Sequence, residues 1–376
     1  MIARFPPAVG GTERQAALLA RWLAGRGMRV TVVTQEHPGT PAREIVEGVE
    51  IARLAPPAGG KGASLLFCLR LARFLKKRGG EYDLAQAFLA SSPALVVGEF
   101  ARRRGVPAFL KFGASGPQGD LASSRAAWGG SWKLRRLRAG FARYLCPNEE
   151  IRREFLALGY PGERLAILPN GVDTGRFRPA EPREREALRR ELGWEGRTVA
   201  LFVGRFEPQK NLRALLAAWE VVARGRPGAL LALVGEGSER EELVRKARAK
   251  GLSAGVQILP AQSSDGVLRL LQAADLFVLP SLAEGLSNAL LEAISTGLPP
   301  VVSRIAGNLE VVEPLGGGLL FDLPTPGGLE RALARLLDDH ALRQGISAAA
   351  RRRALDAYGI DATGRAYLAL VEAAIR

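Results

Sequence analysis

Short apolar runs recur along the chain, and between them lie stretches in which apolar residues stand three and four positions apart. The first rhythm suits strands buried on both faces and the second suits helices with one buried stripe. In the first half, residues 29–35, 82–89, 107–113 and 144–148 are predicted strands, with helices over 13–25, 64–78, 93–104 and 149–158. In the second half, strands are predicted at 198–204, 229–235, 256–260, 275–280 and 298–303, again with helices between them. Strands that alternate with helices in this way form a parallel sheet covered on both faces, and two such series in tandem predict two doubly wound α/β domains. Residues 168–186, rich in Pro, Gly and charge, read as the seam. The first strand has only "IARF" before "PP", which reads as a frayed strand or a late start.

Length agrees with this division, because 376 residues exceed one comfortable core and 47% hydrophobic content is enough to bury two. The two cysteines, Cys68 and Cys146, form no CxxC pair, and the chain has only two histidines, His37 and His340. A zinc centre is therefore not expected, and the thiols read as apolar fillers in a reducing, cytoplasmic setting. No stretch approaches the ~20 apolar residues of a spanning helix, so a soluble or at most peripheral protein is expected.

Charge changes the picture of the two halves. The net +15 is uneven: residues 1–180 hold 28 Lys and Arg against 14 Asp and Glu, while residues 181–376 hold 25 against 24. Any acidic surface that this protein meets is expected to meet the first half.

Three segments carry candidate chemistry. In "GGTERQ" the glycines Gly10 and Gly11 precede a helix, and Thr12 with Gln15 has capping-box spacing, which makes a possible anion site. A glycine turn without any ligand would look the same. In "VGRFEPQKNLRALL" a strand ends at Gly204, and Arg205 and Lys210 follow before a helix that Asn211 could cap. A guanidinium fork and an ammonium at the carboxyl end of a parallel strand suit a diphosphate, although solvated loop cations would give the same pattern. In "PSLAEGLSNALLEAISTGLPPVVS" Glu284 falls in the loop after a strand and Glu292 about two turns along the next helix, with Ser287 or its neighbour as the cap. Carboxylates repel a diphosphate but accept well from sugar hydroxyls, so one glutamate for each of two sugars joined by a diphosphate is the reading adopted.

These residues resemble a known family. "EGLSNALLEA" resembles the E-x7-E motif of retaining glycosyltransferases of family 4, which have the GT-B fold, two Rossmann-like domains facing a central cleft. "LPNGVDTGRF", "FVGRFEPQKN", "LVGEGSERE" and "AADLFVLPS" precede it in the family's order, so that the resemblance spans nearly the whole chain. It implies an acceptor-binding domain over 1–174, a nucleotide-sugar domain over 175–360, and a C-terminal helix over 361–376 packing back on the first domain. By the same resemblance Arg205 and Lys210 bind the donor diphosphate and stabilise the leaving group. Glu284 takes the transferred sugar's hydroxyls, beside the turn of Gly285 and the amides of Leu286, Ser287 and Asn288, and Glu292 takes the ribose. Gly10 and Gly11 close over the phosphates, and Ile258 and Leu259 lie where backbone groups hold the base. The implied reaction is metal-independent transfer, without a cofactor, from a nucleotide-sugar to a saccharide or lipid-linked acceptor in cell-envelope or polysaccharide synthesis.

Three departures accompany the resemblance. Gly113 stands about where many members have a histidine, which leaves Lys111, Ser115 or Asp120 as candidate acceptor contacts; the first strand is short; and Gly316 to Gly318 replace a more polar turn. Trp128 and Trp132 beside Lys133, Arg135, Arg136 and Arg138, together with the basic stretch 70–78, suit an anionic membrane surface at the inner face of the plasma membrane; a solvated basic face would share that composition. A nucleic-acid-binding protein would use the charge but leave the second half unexplained, so no specific nucleic acid is expected. A catalytically inactive sugar-nucleotide binder also fits the Gly113 departure.

Overall fold

A computed structural model of the chain describes all residues except 3, 7–9, 55–61, 114–129, 316–318, 324–326 and 376, and only the main chain at Ser131 and Ser253. Ser115, Asp120, Trp128 and Gly316 to Gly318 lie outside the described residues. The chain forms two compact units, Met1–Gly171 with Ile360–Arg376, and Val172–Gly359.

The first unit begins with α1 (Gly11–Ala24) and β1 (Val30–Thr34), then β2 (Arg43–Val46), β3 (Val49–Arg53) and α2 (Ala63–Arg78). It continues through β4 (Ala85–Phe88), α3 (Ser92–Arg104), β5 (Ala108–Lys111), α4 (Gly130–Ala139), β6 (Arg143–Cys146), α5 (Glu149–Ala157) and β7 (Leu165–Ile167). Its strands pair in the orders β1-β3-β2 and β4-β5-β6-β7. All pairings are parallel except that of β2 with β3. That antiparallel hairpin departs from the purely parallel expectation. Its turn places Glu47 at φ 49° and Gly48 at φ 80°, the pair of positive angles that a two-residue hairpin loop needs.

Alternation along β5 shows how the unit is layered. Ala108 and Leu110 face one side, where they join Leu71 and Phe74 of α2, Val97 and Phe100 of α3 and Leu137 of α4. Phe109 faces the other side with Leu145, Leu168, Leu19 of α1 and Tyr367 of the C-terminal helix Ile360–Ile375. That helix is fastened to α1 by Trp22, whose indole N–H donates to Asp361 Oδ1 at 2.7 Å.

The second unit contains α6 (Pro182–Glu191), β8 (Thr198–Val203), α7 (Leu212–Val222), β9 (Ala229–Val234), α8 (Arg240–Ala249), β10 (Val256–Leu259) and α9 (Ser264–Ala273). After these come β11 (Leu276–Leu279), α10 (Asn288–Ser295), β12 (Pro300–Ser303), α11 (Ala306–Val312), β13 (Leu319–Phe321), α12 (Gly328–Asp338) and α13 (His340–Arg353). Six strands form one sheet in the order β10-β9-β8-β11-β12-β13, every pairing parallel. Strands β9, β11 and β12 are buried throughout, as in the run Leu276–Leu279, and this explains their nearly unbroken apolar sequence. At the amino edge, Asp275 accepts from Arg185 and Arg189 and from the amide of Val199, which locks α6 to the start of β8 and β11. β7 and β13, three residues each, were too short for the hydrophobic rhythm to reveal.

Candidate functional site

The strand order of the second unit reverses direction at β8, whose neighbours are β9 on one side and β11 on the other. Chains leaving the carboxyl ends of two such strands turn to opposite faces and leave a crevice, which is where open α/β sheets bind ligands. Arg205 lies two residues past β8 and Glu284 five residues past β11, so loops far apart in sequence leave neighbouring strand ends.

Lys210 and Glu284 meet there. The Lys210 ammonium is ion-paired to Glu284 Oε1, with side chains only 14% and 12% exposed. Ser281, fully buried, donates its hydroxyl to the same oxygen at 2.8 Å. Two further bonds tie the loops that carry the pair, from the Leu282 main-chain amide to the Gln209 carbonyl and from the Gln209 side-chain Nε2 to the Ala283 carbonyl, at 2.9 and 2.7 Å. Behind Ser281, Ser303 at the end of β12 donates to its carbonyl at 2.5 Å, and Asn308 of α11 donates to the Ser303 carbonyl at 3.0 Å. Glu284 is thus held by a buried polar chain that spans β11, β12 and α11. Arg205 is different: it is exposed, and its guanidinium makes no ion pair among the described residues. A fork-shaped cation open to solvent and a shielded ammonium, five residues apart on one loop at the switch point, are groups that can receive an anion with two phosphate groups.

The turn after Glu284 is shaped by close backbone approach. A Cβ on Gly307 would sit 2.3 Å from the Gly285 carbonyl oxygen, so only glycine lets α11 press against this turn. Ser287 then caps α10 through the Leu290 amide, and the helix stops at Gly297, at φ 77°. Glu292 lies within α10 and is 8% exposed. On the other side of the switch point, Gly235 has φ 154°, and a Cβ there would meet the Gly204 carbonyl at 1.8 Å. This contact draws the ends of β8 and β9 together, and bonds from Gly204 to Val234 and from Phe206 to Glu236 continue the ladder beyond the strands. Glu207 accepts from the Ser238 hydroxyl and amide, and these two donors hold its carboxyl below the usual range. Ile258 and Leu259 are half-buried at the end of β10, two strands from the switch point.

Two capping expectations fail. Asn211 adopts φ 56° as the residue that follows the single turn Pro208–Lys210, and in that left-handed conformation its side chain makes no cap bond to α7. Thr12 lies inside α1, whose N-cap is Gly10, without a side-chain cap bond. Gln15 is instead engaged by Gly171, whose amide it accepts and whose carbonyl it donates to, both at 2.8 Å. A two-way amide pairing across the unit outcompetes a local box.

In the first unit, Gly10 and Gly11 stand at the start of α1, where a Cβ on Gly10 would strike the Glu13 carboxylate at 2.1 Å. Lys111 ends β5 with its amine buried, donating to the carbonyls of Leu168 and Pro169 at 3.3 and 3.4 Å. Burial pulls its pKa down to about 8. Among the described residues, no three of His, Cys, Asp and Glu gather as a metal site would require.

Residues 184–353 match the family described as glycosyl transferases group 1, and residues 10–171 match the glycosyl transferase 4-like domain. A GDP-mannose-dependent alpha-mannosyltransferase of Mycolicibacterium smegmatis is 30% identical, over 93% of this chain and 90% of that protein. The chain belongs to the group 1 glycosyltransferases. A D-inositol 3-phosphate glycosyltransferase of Segniliparus rotundus is 32% identical over 58% of this chain, a match spanning about half of that relative's length, 47%. Among solved structures, Anabaena Alr3699/HepE in complex with UDP has a TM-score of 0.79 at 18% identity, covering 99% of this chain and 98% of that one. The fold of this group 1 glycosyltransferase is GT-B, as the sequence resemblance implied.

Proposed function

We propose that this protein is a retaining, metal-independent glycosyltransferase that moves a sugar from a nucleoside-diphosphate sugar to a saccharide or lipid-linked acceptor in cell-envelope or polysaccharide synthesis. The observation that carries the reading is the shielded Lys210–Glu284 pair at the switch point of the second unit, with exposed Arg205 on the loop that leaves β8. In this reading Arg205 and Lys210 hold the diphosphate and neutralise the charge that grows on it as the glycosidic bond breaks, the dominant catalytic contribution. Glu284, held by Ser281, accepts from hydroxyls of the transferred sugar, the amides of residues 286–288 lie beside it, and Glu292 accepts from the ribose. The leaving phosphate oxygen takes the acceptor's proton on the face from which it departs, which preserves configuration. Relatives named for GDP-mannose and a neighbour solved with UDP support a nucleotide-sugar donor without choosing its base.

The first unit is assigned the acceptor, and its surface supports a peripheral place on an anionic membrane, at the cytoplasmic face. On α2, Leu65, Leu66 and Leu69 are exposed, followed by exposed Arg73, Lys76 and Lys77, and the helix contains no acidic residue. Trp132 on α4 is 53% exposed with Arg136 stacked over its ring. Apolar side chains with cations at one end suit insertion beneath anionic headgroups.

A thermal-shift panel of nucleoside diphosphates and nucleotide-sugars tests the donor, followed by NMR of the product's anomeric carbon with and without chelator. Absence of any shift at millimolar ligand would defeat the assignment, and an inverted product or a chelator-sensitive rate would defeat its mechanistic part.

A further inference from the structure

The helix that carries Glu292, α10, is only eight residues long, about 12 Å. Its placement therefore depends on what holds its two ends. The cap at the amino end is a long bond, from the Leu290 amide to Ser287 Oγ at 3.4 Å. The carboxyl end is held at shorter range, by a side chain 56 positions away in sequence.

A helix leaves its last four carbonyls without partners inside it, and in α10 these belong to Glu292, Ala293, Ile294 and Ser295. The chain that follows answers the first three. The Glu292 carbonyl accepts from the Thr296 amide, the Ala293 carbonyl from the Thr296 hydroxyl and the Leu298 amide, and the Ile294 carbonyl from the Gly297 amide. The Ser295 carbonyl accepts from Arg351 Nη1 at 2.7 Å. The same nitrogen lies 3.1 Å from Ser295 Oγ and 2.9 Å from the Phe177 carbonyl, while Nη2 donates to the Thr174 carbonyl at 2.9 Å. Ser295 Oγ in turn donates to the Phe177 carbonyl at 2.5 Å. The segment that supplies these carbonyls is a closed turn, in which the Phe177 amide bonds to the Asp173 carbonyl and the Asp173 carboxylate accepts from the amides of Gly175 and Arg176. Gly297 lets α13 approach, since a Cβ there would lie 3.0 Å from Ser347 Oγ. Arg351 joins three elements at one point: the end of α10, the turn 173–177 and its own helix, α13.

The guanidinium of Arg351 makes no ion pair among the described residues and is directed at main-chain oxygens. A planar fork reaches several carbonyls at once, which an ammonium on a flexible stem does not. Its charge also suits the carboxyl end of a helix. Glu292 stands one turn before Ser295, so in a helix of about two turns any displacement of this joint is passed on to its carboxylate. Hydrogen bonds weaken within a few tenths of an ångström beyond about 3.2 Å, and a binding constellation tolerates shifts of only about 0.5 Å.

We propose that Arg351 is a positioning residue for the nucleoside half of the donor, fixing the carboxyl end of α10 and through it the place of the Glu292 carboxylate. The inference rests on the reading above in which Glu292 accepts from the ribose. It ties Arg351 to the ribose hydroxyls and not to the diphosphate, which Arg205 and Lys210 hold from another loop.

Calorimetry with UDP, GDP and ADP, each beside its 2′,3′-dideoxy counterpart, reads the contribution of the ribose hydroxyls as a ratio of two Kd values. For the base bound most tightly, the parent protein is expected to prefer the ribonucleotide by about tenfold or more. Arg351→Lys keeps the charge and loses the fork. It is expected to bring the ratio down to about threefold or less, with the Kd of the dideoxy ligand within about twofold of the parent value. Glu292→Gln should lower the ratio in the same way, and adding Arg351→Lys to it should change the ratio no further. Equal weakening of both ligands by Arg351→Lys, as a merely structural role predicts, or a ratio left at the parent value, would overturn the proposal. Where Arg351→Lys does not fold, Ser295→Ala, which loosens the same joint and keeps its carbonyl, replaces it with the same expected and opposing results. A parent ratio near one, or no binding of any of the three ribonucleotides, ends the assignment of Glu292 and this inference with it. A ratio that Glu292→Gln abolishes and Arg351→Lys leaves intact ends this inference alone.

Discussion

Lys210 and Glu284, 74 positions apart, form an ion pair that is largely shielded from solvent. Breaking such a pair on one side is costly because the remaining charge is stranded, by up to about 3–5 kcal/mol where the pair is fully buried. Lys210→Ala and Glu284→Gln should each lower both the melting temperature of the second unit and turnover. The double variant should recover much of the stability, since no lone charge remains, while turnover stays lost. Thermal melts and donor-hydrolysis assays on the cycle check this; recovery of turnover with stability would show the pair to be structural only.

Ser281 should act through Glu284. Ser281→Ala removes a bond to a charged acceptor worth about 1.5–3 kcal/mol and leaves the fold of β11 in place. The expected outcome is a higher KM for the nucleotide-sugar and a lower kcat, with the Kd for the nucleoside diphosphate unchanged, because the diphosphate rests on Arg205 and Lys210. Calorimetry with the two ligands separates these cases. Equal losses for both would mean that Ser281 merely supports the loop.

The alternation of buried runs and amphipathic stretches made both Rossmann-like units legible, because a parallel sheet buries both faces of its strands. The β2–β3 hairpin escaped, since "REIV" is a short edge strand that is mostly exposed and shows neither a buried run nor a strict alternation. Arg205, Lys210 and Glu284 were legible as residues that follow strand ends, and strand order then brought Lys210 and Glu284 together. Ser281, Ser303 and Asn308 were not: a lone hydroxyl or amide has no spacing signature, and its meaning comes from a partner on another strand. Gly235 and Gly307 are similar, each required by a carbonyl belonging to a distant loop. Thr12 and Gln15 had the right spacing, but Gly171, 156 residues from Gln15, took the side chain that the box needed.

Gly235→Ala should be severely destabilising. Its Cβ would overlap the Gly204 carbonyl, and the residue would also keep a strained φ. Gly251 is the control, because it has φ 66° but open space around the position of a Cβ. Gly251→Ala should cost only the left-handed penalty, about 1–2 kcal/mol, and Gly235→Ala distinctly more, with loss of nucleotide binding in whatever fraction folds. Urea titrations of the two variants measure the difference.

Membrane association predicts a graded loss on α2. Leu65→Ser with Leu69→Ser removes the exposed apolar pair, and Arg73→Gln with Lys76→Gln removes two cations worth about 1 kcal/mol each near an anionic surface. Cosedimentation with vesicles of anionic lipid should fall about tenfold or more for each pair, with solution turnover on a soluble acceptor unchanged. Equal recovery with neutral and anionic vesicles by the parent protein would end the idea.

Lys111 makes stability depend on pH in a definite direction. Its folded pKa, about 8, lies below the ordinary lysine value of 10.5, because burial disfavours the ammonium. Below pH 8 both folded and unfolded chains carry the proton, and the cost of burying the charge is present in full. Between pH 8 and 10.5 the folded protein has released a proton that the unfolded chain still holds, so unfolding must take one up and stability rises with pH. A shift of this size corresponds to about 3 kcal/mol across the window. Lys111→Met lacks the titration, so the stability of the parent relative to this variant should climb by that order between pH 7 and pH 10.5 and level off on either side. The two bonds to Leu168 and Pro169 are lost in the variant at every pH and offset the curve without changing its slope. Denaturant unfolding at intervals of one pH unit resolves it, and a flat difference would place the amine in contact with water.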